Sequence, residues 1–225
     1  MSHKSITFRK TSTFFKILFF NQVHILLEEL GVEYDAWKID IFEQKQFTSG
    51  YVNINPNSKI PAMYDYGVEG NVPIRIFESG SILLYLSEKF GGKFVPKDLR
   101  GKTECMNWLM WQMGSAPMIG GGFGHFYKYA PIKIEYCINR YSMETKRLLD
   151  VLDQHLGDGD KKYVCGEEYT IADMAIFPWV RCIDSGYNAE KFLQLDEYKH
   201  VKKWRSRLEE RNAVQRALQL KYNEK

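Results

Sequence analysis

The sequence predicts two domains, an α/β domain of about 90 residues followed by an all-helical domain of about 130. Three observations support this class. Up to position 90 the apolar pattern gives the element order β-α-β-α-β-β-α, which matches a small mixed sheet with helices on both faces. Residues 91–98, GGKFVPKD, have the composition of a linker. The elements predicted after them show helical spacing of apolar residues, so we place the domains at 1–90 and 99–225.

The first domain begins with a polar, basic stretch, residues 1–13, that we expect to be a loose tail. The elements after it are assigned by their apolar period, which is two in a strand and 3.6 in a helix. In chain order they are a strand at Phe14–Phe20, a helix at Gln22–Leu30 closed by Gly31, a strand at Val32–Ile41, an irregular stretch at Glu43–Val52, strands around Pro61–Tyr66 and Ile74–Phe77, and a helix at Ser79–Phe90. The loop between the last two strands contains Gly67 and Gly70.

The second domain is predicted to be helical throughout. Its helices span Thr103–Gly114, Ile132–Gly157, Ile171–Asp184, Leu195–Arg211 and Val214–Leu220. Thr170 and Asp173 form a capping-box pattern, to which we assign a structural role. The glycine run within Gly114–Tyr129 cannot support a stable helix on propensity alone. We expect a helix break there that leads to an aromatic pocket wall; the alternative is an aromatic plug in the core beside a bend.

The bulk composition gives no sign of a nucleic-acid or membrane partner. The chain has 225 residues, of which 44% are hydrophobic and 15% aromatic, enough for a substantial core. Its net charge of +3 is too small to indicate nucleic acid. No apolar run reaches the length of a membrane span, and Phe14–Leu30 lacks the cleavage site of a signal peptide. We therefore expect a cytoplasmic protein.

The cysteines point to free thiols. Cys105, Cys137, Cys165 and Cys182 include no C-x-x-C pair, and their spacing fits neither a zinc site nor a disulfide framework. Free thiols are the ordinary state of such a chain in the cytosol, and we expect no metal site. Thiol chemistry in this protein would then need a sulfur supplied by a bound ligand.

The segment Lys59-Ile60-Pro61 is the first candidate binding element. A proline opens the predicted strand, where an exposed edge or a cis bond is expected. A cis bond would turn the backbone N–H and C=O of Ile60 away from the sheet, so that a ligand with a peptide backbone could pair with them as an added strand. The alternative is an ordinary proline on an edge strand.

The second candidate binding element is the pair Glu78 and Ser79 at the start of the next helix. The Ser79 hydroxyl and the N–H groups of the first turn can hold a carboxylate, and Glu78 can pair with an ammonium group. The alternative is a plain helix cap.

Gln46 could bind a ligand carboxylate or amide, or be a solvated loop residue. Arg140 could be solvated too, or its rigid fork could reach a ligand carboxylate or a partner chain.

These residues lie in segments that resemble the glutathione transferase superfamily from about Gln22 to Leu220. The segments shared with the superfamily are NPNSKIPA (Asn55–Ala62), FESGSILLYL (Phe77–Leu86) and YTIADMAIFPW (Tyr169–Trp179). NWLMWQMG (Asn107–Gly114) and GGGFGHFYKYAP (Gly120–Pro131) resemble the bacterial nu class, which comprises disulfide-bond oxidoreductases. The resemblance implies a thioredoxin-like N-terminal domain, a helical glutathione-transferase C-terminal domain and a homodimer.

The resemblance also implies a ligand and the residues that hold it. Glutathione would contact Gln46, Lys59, the Ile60 backbone beside cis-Pro61, and Glu78 with Ser79. Arg140 would reach from one subunit toward the site of the other. The open side of the pocket would be lined by His125, Phe126, Tyr127 and Tyr129. In the nu class two glutathione molecules can share a site and reduce small disulfides, which agrees with the absence of a C-x-x-C pair.

One family motif is missing. The family carries Thr-Pro-Asn between the first strand and the first helix, close to the glutathione sulfur. Aligned without a gap, those positions fall on Ile17, Leu18 and Phe19, which have no side-chain hydrogen-bond donor. With a gap, Asn21 takes the place of the Asn and is the candidate catalytic residue. A thiolate nucleophile needs a donor or a positive field, which the first N–H groups of the following helix could partly supply.

Three functions are compatible with these features. The first is a glutathione-dependent disulfide-bond reductase or glutathione transferase acting on a small disulfide or electrophile. The second is a glutathione-binding regulatory or degenerate module without turnover, suggested by the missing Thr-Pro-Asn. The third is a structural dimer without a ligand, in which Gln46, Glu78 and Arg140 are merely surface residues.

Overall fold

The computed structural model describes residues 21–67 and 72–221. The chain forms two compact units, one of Met1–Gly91 with Asn212–Lys225 and one of Gly92–Arg211. The compactness of these two units does not show that either part folds by itself, so the domain boundaries at 90 and 99 remain a prediction. The predicted tail 1–13, the strand Phe14–Phe20, the positions Ile17, Leu18 and Phe19, and Gly70 of the hairpin lie outside the described residues.

The first unit joins a two-stranded sheet to helices. Its elements are α1 (Asn21–Leu30), α2 (Ser49–Val52), β1 (Ala62–Asp65), β2 (Ile74–Phe77), α3 (Ser79–Lys89) and α8 (Asn212–Leu218). β1 and β2 are antiparallel, with a register from Ala62 opposite Phe77 to Asp65 opposite Ile74. Both strands and the helix after them confirm the sequence prediction. Apart from isolated bridges, this is the only strand pairing within the described ranges. The strand predicted over 32–41 is not among the described strands, although Trp37 within it is a bridge residue.

Helix α1 is the centre of the first unit. Its apolar residues Val23, Ile25, Leu26 and Leu27 are buried, and it contacts both α3 and α8. Each such side chain stabilises the fold by about 1.5–3 kcal/mol when fully buried. The Arg216 guanidinium donates to the Glu28 carboxylate (Nε to Oε2, 2.6 Å), so α8 is also fixed to α1 by charge.

A buried carboxylate ties α3 to β1. Asp65, at the end of β1, accepts hydrogen bonds from the Gly67 N–H (2.8 Å), the Tyr85 hydroxyl (2.7 Å) and the Lys89 ammonium. Tyr85 and Lys89 both belong to α3. A buried carboxylate is stable when it is paired and hydrogen-bonded in this way. The Asp65 contacts therefore hold the second half of α3 against the end of β1, and the candidate site lies at the other end of this helix.

The second unit is helical. Its elements are α4 (Leu99–Pro117), a π-helical segment (Met118–Tyr129), α5 (Glu135–Gly157), α6 (Ile171–Ser185) and α7 (Lys199–Glu209). Most of α6 is buried, and it contacts α4, α7 and the π-helical segment. The capping box of Thr170 and Asp173 is confirmed, and the buried Asp173 carboxylate also accepts from the Trp204 indole N–H at 2.8 Å.

The predicted break in the glycine-rich segment is wrong. The helix changes from α to π after Pro117 but continues to Tyr129. Three of its glycines face aromatic rings: a Cβ added to Gly120, Gly122 or Gly124 would lie 2.5, 2.4 or 2.2 Å from Trp179, Tyr141 or Tyr187. Tertiary packing therefore outweighs the poor helix propensity of glycine. Within the described residues, no helix combines the length and apolarity needed to cross a membrane.

Candidate functional site

The backbone at Ile60 is open for pairing, although the residue itself is buried. The Ile60–Pro61 bond is cis, which is the state that the family resemblance implies and not the ordinary edge-strand proline that was its alternative. The preceding carbonyl, that of Lys59, accepts two 2.6 Å hydrogen bonds, one from the Tyr51 hydroxyl and one from the Asn55 amide. The N–H and C=O of Ile60 form no hydrogen bond to any residue that the structure describes. An extended ligand backbone can therefore pair with Ile60.

A local turn and a small apolar cluster fix this backbone. The buried Asn55 accepts from the Asn57 N–H at 2.9 Å while its amide donates to Lys59, so one side chain closes the turn on both sides. Tyr51, Ile54, Ile60 and Ala62 form a buried cluster beneath. Burial, and then the nearby Glu78 carboxylate, raise the pKa of Tyr51. Its hydroxyl therefore remains a donor to Lys59 throughout the physiological pH range.

Glu78 and Ser79 mark the start of α3. Glu78 occupies the cap position with φ 69° and ψ 123°, and its side chain makes no capping hydrogen bond. A non-glycine residue at such a φ costs about 1–3 kcal/mol, and strain of this kind concentrates at functional sites. Ser79 is the first helical residue and is half-buried. The first intrahelical bond runs from the Ile82 N–H to the Glu78 carbonyl (3.0 Å), so the N–H groups of the first turn point out of the helix.

Gln46 and Lys59 provide further polar groups in the same unit. Gln46 lies in a short 3₁₀ turn (Lys45–Phe47), and its amide nitrogen makes only a long 3.5 Å contact to the Ile41 carbonyl. Its Oε1 is buried and has no hydrogen-bond partner among the described residues. A buried acceptor of this kind is suited to a ligand N–H. Lys59 is exposed, so its ammonium is available to an anion.

Asn21, the candidate catalytic residue, is the first residue of α1 and is buried. It belongs to the same unit as Gln46, Lys59, Ile60, Pro61, Glu78 and Ser79. Tyr51 relates Lys59 to Glu78, because its hydroxyl donates to the Lys59 carbonyl and the Glu78 carboxylate helps to raise its pKa. The pocket residues and Arg140 belong to the second unit. Across the described ranges, no cluster of His, Cys, Asp and Glu side chains is arranged to hold a metal ion.

The predicted pocket residues lie on the π-helical segment. Phe126 stacks on Tyr141 (ring centroids 5.6 Å apart, 9° between planes), and His125 meets Phe126 edge-on. Tyr127 packs against Phe192 with centroids 4.8 Å apart. His125 and Tyr129 are exposed, whereas Phe123 is fully buried. The segment therefore contributes both a core plug, Phe123, and a row of accessible rings.

Arg140 lies on the exposed side of α5. Its guanidinium is 3.7 Å from the Glu144 carboxylate, which is held more closely by Arg147 at 2.6 Å. An exposed pair of that length contributes little to stability. Tyr136 and Met143 are four residues before and three after Arg140 and are 78% and 71% exposed. These three side chains share one stripe of the helix, which sequence reasoning on Arg140 alone did not detect.

The comparisons with known proteins define the class. The family model for the glutathione S-transferase N-terminal domain matches residues 19–89, and that for the C-terminal domain matches residues 134–212. The chain therefore belongs to the glutathione S-transferase family. The superfamily and the two-part fold predicted from the sequence are confirmed.

Individual relatives narrow the comparison. Disulfide-bond oxidoreductase YghU of Escherichia coli (strain K12) is 58% identical over 203 residues, 87% of this chain and 69% of the relative. Disulfide-bond oxidoreductase YfcG of the same organism is 38% identical over 88% of this chain and 89% of the relative. The crystal structure of glutathione transferase YghU from Streptococcus pneumoniae with glutathione has a TM-score of 0.89 at 43% identity, over 100% of this chain and 86% of that one. The crystal structure of a glutathione transferase from Pseudomonas putida, with one glutathione disulfide bound per subunit, has a TM-score of 0.87 at 36% identity. It covers 98% of this chain and 94% of that one.

Proposed function

We propose that this protein is a glutathione-dependent disulfide-bond reductase that uses the thiol of bound glutathione. The observation that carries the proposal is the open Ile60 backbone in the same unit as the strained Glu78–Ser79 helix start. Relatives named disulfide-bond oxidoreductases, and structural neighbours with glutathione bound, support it. A glutathione transferase activity toward small electrophiles is part of the same proposal, since the nucleophile is the same thiol.

Each part of glutathione has a matching group in the first unit. The cysteinyl residue pairs with the Ile60 backbone as an added strand. The α-carboxylate of the γ-glutamyl group meets Ser79 and the first-turn N–H groups of α3, where the helix dipole favours an anion. Glu78 takes the ammonium group. Gln46 and the exposed Lys59 hold the remaining amide and the glycyl carboxylate.

The reaction is two successive thiol–disulfide exchanges. The thiolate of the first glutathione attacks one sulfur of the substrate disulfide, forms a mixed disulfide and releases one substrate thiolate, which takes up a proton. A second glutathione thiolate attacks the glutathione sulfur of the mixed disulfide and releases the second substrate thiol. Two glutathione molecules are oxidised to glutathione disulfide, and one disulfide is reduced to two thiols. We assign Asn21 and the start of α1 to the stabilisation of the first thiolate.

We further propose that the enzyme is a cytoplasmic homodimer. The exposed stripe of Tyr136, Arg140 and Met143 on α5 supports the dimer, because a surface with two large apolar side chains in line is typical of an interface. In such a dimer Arg140 would reach the site of the partner subunit. The four free cysteines agree with a reducing compartment.

The apolar positions Ile17, Leu18 and Phe19 favour a second candidate, a glutathione-binding module without turnover. An assay separates the two. Reduction of hydroxyethyl disulfide by glutathione is followed by coupling to glutathione reductase, conjugation of chlorodinitrobenzene is measured beside it, and glutathione binding is measured by calorimetry. Turnover with either substrate supports the enzyme, and binding without turnover supports the module.

Paired variants assign the site. Ser79→Ala should weaken glutathione binding, whereas Ser81→Ala should not, because Ser81 is an exposed serine one position beyond Gly80 in the same helix. Equal affinities in the two variants, or absence of both binding and turnover in the unmodified protein, would refute the proposed site.

A further inference from the structure

Helix α1 begins at Asn21, the candidate catalytic residue, and its opposite end is held by the last helix of the chain. The chain returns to the first unit at Asn212, where α8 begins. Helix α8 contacts α1 and buries Ala213, Val214 and Ala217. The proposed chemistry uses only the first turn of α1, whereas the polar contacts with α8 lie at its last turn.

Glu28 is the residue at which the two helices are joined. The Arg216 guanidinium donates to the Glu28 carboxylate (Nε to Oε2, 2.6 Å) and to the Glu28 backbone carbonyl (Nη2 to O, 3.2 Å). The other carboxylate oxygen, Oε1, accepts from the Tyr34 hydroxyl at 2.9 Å. Glu28 therefore joins α1 both to α8 and to the segment that follows α1.

The charge at this end of α1 is balanced by Arg216. The C-terminal end of a helix is electronegative, so a carboxylate in the last turn is unfavourable unless a cation lies beside it. Helix α1 has no basic residue of its own in that turn. The cation comes from Arg216, 188 residues further along the chain. The Glu28 side chain is only 19% exposed, so solvent screens the pair only in part.

Tyr34 extends these contacts toward the start of α1. Its hydroxyl donates to Glu28, and its ring stacks on His24 with centroids 5.8 Å apart and 19° between the planes. His24 is fully buried and lies one helical turn after Asn21. Glu28 lies two turns after Asn21, about 10 Å along the helix axis. A continuous series of contacts therefore joins Arg216 to the turn that begins with Asn21.

We propose that Glu28 and Arg216 are positioning residues, which hold α1 so that Asn21 and the first-turn N–H groups stay directed at the glutathione sulfur. This inference rests on the proposed function, to which it adds how the thiolate-stabilising helix is fixed. A short helix moves as one body, so a shift of its last turn displaces its first turn as well. A displacement of about 1 Å in a catalytic group can lower a rate by about 100-fold.

The test compares full-length variants in the reduction of hydroxyethyl disulfide by glutathione. Arg216→Ala should lower kcat about ten-fold and change the Kd for glutathione less than about two-fold, because the ligand is held by other elements. Arg216→Lys keeps the charge but cannot reproduce both hydrogen bonds of the guanidinium, so its kcat should be intermediate. Lys203→Ala is the matched control and should keep the wild-type kcat. It removes an exposed ion pair with Asp160 (2.7 Å) from α7 of the second unit.

A double-mutant cycle shows whether the two residues act as a unit. Glu28→Gln removes the charge and keeps the size of the side chain, and it should lower kcat in the same direction as Arg216→Ala. The double variant should be no slower than Arg216→Ala, because residues of one contact are not additive. Additive losses would mean that the pair does not act through its contact and would overturn the inference.

Titration of the thiolate absorbance of bound glutathione separates positioning from a general loss of stability. In Arg216→Ala the pKa of the bound thiol should rise toward that of free glutathione, and in Lys203→Ala it should not move. If Arg216→Ala fails to fold, Arg216→Lys and Glu28→Gln replace it. Wild-type kcat and an unchanged thiol pKa in the folded variants overturn the inference and leave the proposed function intact. A wild type that binds glutathione without turnover overturns both.

Discussion

The Tyr51 hydroxyl donates a 2.6 Å hydrogen bond to the Lys59 carbonyl, directly before the open backbone of Ile60. Tyr51→Phe removes this donor, but the Asn55 amide still donates to the same carbonyl. The backbone at Ile60 should then be less well positioned, and the free energy of glutathione binding should become less favourable by about 1 kcal/mol. That change corresponds to a roughly five-fold higher Kd for glutathione. Calorimetry measures it, with Tyr64→Phe as the control because the Tyr64 hydroxyl has no hydrogen bond to a described residue. Unchanged affinity in Tyr51→Phe would show that the carbonyl is held well enough without it.

Glu78→Gly should stabilise the protein and weaken its ligand binding at once. Glycine adopts the positive φ of this position without strain, so the free energy of unfolding should rise by about 1 kcal/mol. The lost carboxylate should raise the Kd for glutathione. Glu88→Gly in the same helix is the control, and its free energy of unfolding should fall by about 1 kcal/mol. Urea denaturation measures both variants, and a destabilised Glu78→Gly contradicts the assignment of strain to Glu78.

The parts of the site that the sequence predicts are those whose geometry is set within a few residues. The strand after Pro61 and the helix start at Glu78–Ser79 are local, so their residue types alone predict those two elements, whereas the cis bond at Ile60–Pro61 was implied by the family resemblance. Two features escaped prediction because they depend on partners outside the local pattern. Tyr51 reaches across the turn to Lys59, and the aromatic rings reach the glycines of the π-helical segment.

The glycine-rich segment shows the same limit in energetic terms. Helix propensity is a local quantity, and for three closely spaced glycines it predicts a break. Gly120, Gly122 and Gly124 can either destabilise the helix or be required for packing, depending on the rings that lie against them. Those rings come from α5, from α6 and from the second residue after α6. No window around position 122 contains that information.

Gly124→Ala and Gly121→Ala should therefore have opposite effects. The new Cβ at position 124 would lie 2.2 Å from the Tyr187 ring, so we expect a loss of about 1–3 kcal/mol of stability from overpacking. At position 121 no heavy atom lies within 4 Å, and alanine should stabilise the helix by up to about 1 kcal/mol. Thermal and urea unfolding of the two single variants compare them directly. Similar stability in both variants would mean that the aromatic rings do not depend on glycine at these positions for their packing.

His24 should make the fold sensitive to mild acid. It is fully buried on α1 and stacked on Tyr34, and burial lowers its pKa from 6.5 to about 3. Between those two values the unfolded chain binds a proton that the folded chain does not, so stability falls as the pH decreases. From pH 7 to pH 5 the loss should be about 2 kcal/mol.

Urea denaturation at pH 7, 6 and 5 checks this sensitivity in the wild type and in His24→Phe, which keeps a ring against Tyr34. Burial raises the pKa of Asp173 in the folded protein, so this carboxyl can also contribute to the slope, but it is common to both proteins and cancels in the comparison. The variant should lose the part of the pH dependence that comes from His24, whatever its absolute stability. Parallel pH profiles for the two proteins would exclude His24 as the source.

The stripe of Tyr136, Arg140 and Met143 gives the last prediction, which concerns assembly. If the stripe is covered by a second subunit, Met143→Lys places an unpaired charge in the interface and should raise the dimer dissociation constant at least ten-fold. Sedimentation velocity over a range of concentrations measures this, with Ser206→Lys on the exposed side of α7 as the control. Arg140→Ala should affect assembly less and glutathione affinity more, since it would act on the site of the partner. A wild type that is monomeric at micromolar concentration would leave Arg140 a solvated side chain beside Glu144.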